Sequence, residues 1–290
     1  MTISILSLHT YPVKSCAGIT HTKVAISQSG LFLDRQWVIV DGNGVFLTQR
    51  QHAKMALIQP ALQKGDLTLS APGVPDVLVP WLTNTAEPAQ VPVRIWAADT
   101  LGFDEGDTVA NWLTHFLGLP CRLLRVHPEA ERYASLEHVQ NWYAKHGDLM
   151  PDFPARHRFG FADAFPFLIT NQGSLDELNR RLQAKGQAAV PMNRFRPNIV
   201  LQGLDAYEED YLTSIKVGRM TLAQVKRCAR CPIPNIDQAT ALSASEPGLT
   251  LAGHRQFPEG VLFGVNAVVA GAGVGATLSV GDQVEAEFDI

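Results

Sequence analysis

Val225-Lys-Arg-Cys-Ala-Arg-Cys-Pro232 sets two thiols, Cys228 and Cys231, at the end of an expected strand and among Lys226, Arg227 and Arg230. Nearby cations favour thiolate over thiol, and a thiolate is a soft metal ligand. On spacing alone the pair equally suits buried structural cysteines. A structural zinc site usually needs a second close pair of ligands, and neither Cys16 nor Cys121 has a neighbouring cysteine. A dithiol redox motif would stand at a helix start, whereas Pro232-Ile-Pro-Asn-Ile236 opens a helix poorly.

Outward from this stretch the chain reads mostly as strands, because short runs of Val, Ile, Leu and Thr recur between turn residues. Strands are expected at 214–217 and 220–225 before the thiols, and at 261–269 after them. A closing hairpin of 278–280 and 284–288 is expected to turn at Gly281-Asp282. Earlier runs fall at 3–8, 37–40, 45–48, 67–70, 92–96 and 197–201, with Asp41-Gly42-Asn43-Gly44 as a strong hairpin turn. One helix is expected over 108–117, where Val109, Trp112, Leu113, Phe116 and Leu117 keep helical spacing and Gly118 and Pro120 stop it. A second is expected over 174–186, opened by a capping box of Ser174 and Glu177. Residues 125–160 show little periodicity and include a proline-rich run at 151–154, so a long irregular excursion is expected there. The fold class is therefore α+β and predominantly β. The domain boundary falls just after the first helix, giving domains of 1–120 and 121–290.

Composition sets outer limits. The 290 residues are 46% hydrophobic and 18% charged, which suits a soluble protein of two moderate domains. With 24 Lys and Arg against 28 Asp and Glu, the whole molecule repels a polyanion, so no nucleic-acid partner is expected and any anion site must be a local cluster of cations. Residues 1–15 lack the order of a signal peptide, and no run approaches the roughly 20 apolar residues of a membrane span, so a cytoplasmic protein with no membrane partner is expected. The glycine-rich 271–276 segment is read as a loop, since no helix or ribose-binding acid follows it. His127, His138, His146 and His157 are irregularly spaced and are read as solvated loop residues.

Two further segments bear cations. In Tyr11-Pro-Val-Lys-Ser-Cys16, Pro12 interrupts a strand and leaves the Lys14 ammonium and Ser15 hydroxyl on a loop able to hold an anion. In Asn193-Arg-Phe-Arg-Pro-Asn-Ile-Val200, Arg194, Arg196 and Asn198 fall on one side of an extended segment, and arginine forks match phosphate. Either segment alone also suits a solvated charged edge.

Taken together, Tyr-Pro-Val-Lys-Ser-Cys at 11–16, Asp34-Arg35 with Trp37, Phe165-Pro-Phe-Leu-Ile169, Arg194-Phe-Arg-Pro-Asn-Ile-Val200 and Cys228-Ala-Arg-Cys231 resemble the MOSC family in its two-domain form. That form carries an N-terminal β-barrel domain, and the likeness extends to the mitochondrial amidoxime reducing component and to bacterial reductases of N-hydroxylated compounds. The resemblance implies that Cys231 ligates molybdenum as the catalytic metal ligand. It also implies that Lys14, Ser15, Arg35, Arg196 and Asn198 hold the pterin and phosphate of a molybdenum-molybdopterin cofactor. Lys14 and Arg35 would then reach across the domain interface. Cys228 and Cys16 are left as structural residues. Two departures touch the pocket: Pro232-Ile-Pro-Asn-Ile-Asp237 stands where relatives tend to carry hydroxyl residues, and Ala164-Phe165 where the mitochondrial relatives have Thr and Ser.

The function implied is reduction of N-hydroxylated substrates: hydroxylamines, amidoximes or N-hydroxylated bases. With no further cysteine-rich module in these 290 residues, a separate electron donor is expected, ferredoxin-like, a flavin reductase or cytochrome b5-like. The rival readings are a cofactor-binding or sulfur-carrier protein without turnover, and a thiol or zinc interaction module.

Overall fold

The computed structural model describes residues 2–63, 65–81, 89–150, 152–271, 273 and 275–289. In chain order its strands are β1 (Ser4–Thr10), β2 (Ile19–His21), β3 (Lys23–Ser27), β4 (Gly30–Leu31), β5 (Trp37–Val40), β6 (Gln59–Gln63), β7 (Asp66–Ala71), β8 (Val74–Pro80), β9 (Val91–Ile95) and β10 (Ala98–Asp104). Beyond these lie β11 (Arg122–Val126), β12 (Phe167–Asn171), β13 (Ile199–Gln202), β14 (Leu212–Val217), β15 (Met220–Ala229), β16 (Gln256–Phe257), β17 (Gly260–Val269), β18 (Thr277–Ser279) and β19 (Glu285–Phe288). The helices are α1 (Asp107–Leu117), α2 (Leu136–His146), α3 (Gln172–Ala184) and α4 (Gly248–Arg255). The fold is α+β and predominantly β.

A large sheet runs β19-β14-β15-β17-β12-β13-β1-β2, with β16 on β17, and smaller sheets are β5-β11-β10-β9, β18-β3-β4 and β6-β7-β8. Pairing crosses residue 120 in both directions. Strand β1 pairs antiparallel with β13, β3 pairs with β18, and β11 pairs with both β5 and β10. One apolar core, including Ile5, Leu8, Phe167, Ile199 and Val265, packs on the large sheet. Another, including Trp37, Met55, Leu67 and Leu113, fills the space under α1. Burying a side chain the size of Leu113 contributes about 1.5–3 kcal/mol.

Several expectations change. The Asp41–Gly44 turn forms, with Gly44 N donating to Asp41 O at 3.1 Å and Gly44 at φ 75°, but 45–48 is no strand and only Val45 and Phe46 make isolated bridges. Residues 125–160 are not wholly irregular: α2 lies there and buries Val139 and Trp142. Helix α3 begins at Gln172, capped by Asn171, whose side chain accepts from Gly173 N. The expected capping box is absent because Glu177 pairs with Arg180 and Arg181, while the Ser174 hydroxyl turns inward to Glu209. The closing strands do not pair with each other: β18 joins β3 and β19 joins β14. His127 and His157 are buried rather than solvated, and His138 and His146 lie on α2. Of the proline-rich run and the glycine-rich loop, Pro151, Ala272 and Val274 lie outside the described residues.

Among the described residues no helix is long and apolar enough to cross a membrane, and no group of three His, Cys, Asp or Glu could hold a metal ion.

Candidate cofactor site

A cleft of about 260 Å³ gathers Lys14, Ser15, Arg35, Arg196, Asn198 and Cys231 from both halves of the chain. Lys14 follows Val13, which bridges in parallel to Trp37, and its backbone N–H donates to Trp37 O at 2.7 Å. Its ammonium meets Asp163 Oδ1 at 2.5 Å. Burial lowers the Lys14 pKa, while Asp163 works against that shift. For Asp163, whose side chain is 64% exposed to the cleft, burial would raise the pKa, but Lys14, Trp96 and Arg35 together hold it well below the usual carboxylate range.

The Tyr11 ring is clasped between two guanidinium groups, with Arg35 and Arg196 each 4.3 Å from its centroid. Such contacts are worth about 0.5–2 kcal/mol each. Asp34, almost fully buried, anchors one side: its carboxylate accepts from Tyr11 N at 2.7 Å and pairs with Arg35 at 2.5 Å. Arg35 donates on to Arg196 O at 3.2 Å, and Arg196 donates to Cys16 O at 2.6 Å. Lys14 and Arg35 thus both contact the C-terminal half. Burial pushes the Cys16 thiol up to about 12, and this cysteine packs in the core under α1.

Backbone geometry aims these groups. Ser15, Arg35 and Arg196 have φ of 67°, 47° and 57°, and Trp96 at the rim has 57°. Non-glycine residues in this region are uncommon and cost about 1–3 kcal/mol, a strain that clusters at functional sites. The 160–163 segment is pressed onto Arg35: Phe161 N donates to Arg35 O at 2.7 Å, and a Cβ on Gly160 would lie 2.5 Å from that oxygen. Buried Arg132 braces the segment by donating to Gly160 O at 2.7 Å and Ala162 O at 2.8 Å.

The thiol stretch departs from plain strand geometry. β15 continues to Ala229, farther than expected, and its register against β17 slips between Gln224 and Lys226 and again between Arg227 and Ala229. A regular strand sends successive side chains to opposite faces, whereas bulges re-aim them. Here every residue from Lys226 to Cys231 lines the cleft. Cys228 is not in apolar packing as a structural role would require; Arg230 donates to its sulfur at 3.2 Å and to Phe195 O at 2.7 Å. All four cysteines are free thiols.

Arg194 does not join Arg196. A short 3₁₀ turn, Met192–Arg194, breaks the expected extended segment, and Arg194 instead pairs with Asp237 at 2.7 Å. Asn198 lines the cleft but spends its amide on backbone, accepting from Leu168 N at 3.1 Å and donating to His9 O at 3.2 Å. Arg50 and Trp96 were not singled out from sequence. Arg50 lies 3.9 Å from the Trp96 centroid, and Trp96 Nε1 donates to Asp163 at 3.0 Å.

Fold and cleft define a mostly β protein whose two halves share one cationic, thiol-bearing pocket. A MOSC N-terminal beta barrel domain matches residues 2–120 and a MOSC domain matches 156–285. The chain belongs to the MOSC family. It is 33% identical to human mitochondrial amidoxime-reducing component 1, over 97% of this chain and 82% of that protein. It is 29% identical to human molybdenum cofactor sulfurase, over 97% of this chain but 32% of that protein, so it spans about a third of that relative. The YUAD protein of Bacillus subtilis, a solved structure, aligns over 100% of this chain and 98% of its own at 11% identity and a TM-score of 0.41, too slight a likeness to bear on function.

Proposed function

We propose that this protein is a cytoplasmic molybdenum-cofactor-dependent reductase of N-hydroxylated compounds, supplied with electrons by a separate donor protein. The observation that supports it best is the convergence of Lys14, Ser15, Arg35, Arg196, Asn198 and Cys231 on one cleft, in a chain 33% identical to a protein named for amidoxime reduction.

The donor set fits a pterin dithiolene phosphate, a multiply charged anion. Such a group needs fixed cations and a soft ligand, and the cleft offers arginine and lysine beside the Cys231 thiol. Cys231 would hold the metal, while Lys14, Arg35 and Arg196 would face the phosphate and pterin. When bound, the cofactor supplies two-electron redox chemistry. The overall conversion takes two electrons and two protons, breaks the N–O bond and releases the amine and water. Within the chain, Asp34 and Tyr11 hold the two arginines in place, so little reorganisation is needed when an anion binds. Asp163 stays ionised, so it acts as a fixed charge that steadies Lys14 and Trp96, not as a proton donor.

A second reading, a cofactor-binding or sulfur-carrier protein without turnover, draws on the likeness to molybdenum cofactor sulfurase. Chemically reduced protein offered an N-hydroxylated base separates the two. Formation of the amine supports the reductase; bound cofactor with no amine formed supports the carrier.

A further inference from the structure

The cleft holds more positive charge than its own carboxylates balance. Among its described lining residues the one carboxylate is Asp163, which is taken by Lys14. Arg35 is paired with Asp34 and Arg227 with Glu259. Among the described residues Arg50, Arg196, Lys226 and Arg230 make no ion pair.

These four cations divide into two kinds. Arg196 and Arg230 are tied into the inner wall, lying over the Tyr11 ring at 4.3 Å and the Phe195 ring at 5.6 Å and donating to the backbone of Cys16 and Phe195. Arg50 and Lys226 are different. Arg50 is exposed, 3.9 Å from the Trp96 ring centroid, and among the described residues its guanidinium otherwise reaches only the Thr48 hydroxyl at 3.5 Å. Lys226 stands on β15 opposite Asn266; among the described residues it makes no ion pair within 4 Å, and its charge acts at longer range on Glu259, the partner of Arg227, and on His138. They come from walls built by different halves of the chain, and the family resemblance assigns neither to the cofactor.

We propose that Arg50 and Lys226 form an anion subsite for the substrate, so that the protein prefers small N-hydroxylated compounds carrying a carboxylate or phosphate. This rests on the reductase reading above. Charge-assisted contacts at a partly exposed site discriminate modestly and weaken with salt.

The test uses the cofactor-loaded protein and matched probes: benzamidoxime against para-carboxybenzamidoxime, and N-hydroxycytidine against its monophosphate. Both kcat/KM with a chemical reductant and equilibrium binding are measured, at low and high salt. The charged member of each pair is expected to be favoured about fivefold, and the ratio to collapse in Lys226→Ala and Arg50→Ala but persist in Lys226→Arg. A preference for only one pair would say whether carboxylate or phosphate is read. Anion-selective binding without turnover would support the subsite while removing the reductase reading. Three results would overturn the subsite: equal binding within both pairs; a ratio unchanged in Lys226→Ala; or loss of molybdenum from that variant, which would give the lysine to the cofactor.

Discussion

At the residue scale, buried charge decides most of what can be measured. Glu209 is fully buried, with the Ser174 hydroxyl 2.8 and 2.6 Å from its two oxygens, and burial pushes its carboxyl up from 4.5 to about 7. A raised folded value means that the folded protein holds this proton more tightly than the unfolded chain. Glu209's contribution to stability is therefore intact below about pH 4.5 and is lost as pH rises through about 7. Glu209→Gln is expected to gain on the order of 3 kcal/mol at pH 8 and almost nothing at pH 4, read from urea unfolding at both pH values. A variant whose stability curve runs parallel to wild type would refute the assignment. The residues that meet in the cleft were legible as candidates because they sit in short strings: Lys14 and Ser15 after Pro12, Arg196 and Asn198 around Pro197, Cys231 in a cation-rich pair. Arg50 and Trp96 were not, since a single arginine after a turn and a single tryptophan at a strand end carry no local signal. Their meeting across 46 residues is a tertiary fact.

At the element scale, the site depends on how strands are stitched together. The Asn198 amide links β12, β13 and β1 through Leu168 N and His9 O. Removing it takes this partner from a part-buried donor and a part-buried acceptor, so Asn198→Ala is expected to cost about 1–3 kcal/mol, seen as a lower unfolding midpoint by circular dichroism. Asn198→Asp keeps the acceptor for Leu168 N but loses the donor to His9 O, and should fall between. An alanine variant as stable as wild type would show that the amide does not hold these strands. The strands with dense Val, Ile and Leu were readable from local pattern. Helix α2 was not, because only Val139 and Trp142 of its 11 residues are buried, too narrow an apolar stripe to stand out among His, Gln and Asn. The closing hairpin failed for the opposite reason. Its turn exists, with Ser279 N donating to Asp282 at 2.8 Å, but the flanking strands find better partners far away in β3 and β14. Local sequence reports the turn and not the pairing.

At the scale of the whole molecule, the two halves are woven together more than a boundary at residue 120 suggests. Strands β1 and β3 lie in the first 120 residues yet pair with β13 and β18, and the candidate site takes Lys14, Ser15 and Arg35 from one half and Arg196, Asn198 and Cys231 from the other. Residues 121–290 expressed alone would expose the unpaired edge of β13, so that fragment is expected to show no cooperative melt and to gain one on co-expression with 1–120. A sharp melt of the fragment alone would mean that β1 and β3 are dispensable. On the proposed reading this shared cleft holds a molybdenum-pterin group through the sulfur of Cys231. Its most direct measurement is molybdenum and pterin content per chain, for wild type beside Cys231→Ala, both made in a host that synthesises the cofactor. Close to one molybdenum per wild-type chain, with the metal lost from the variant, is the predicted result; equal molybdenum in both proteins would contradict it.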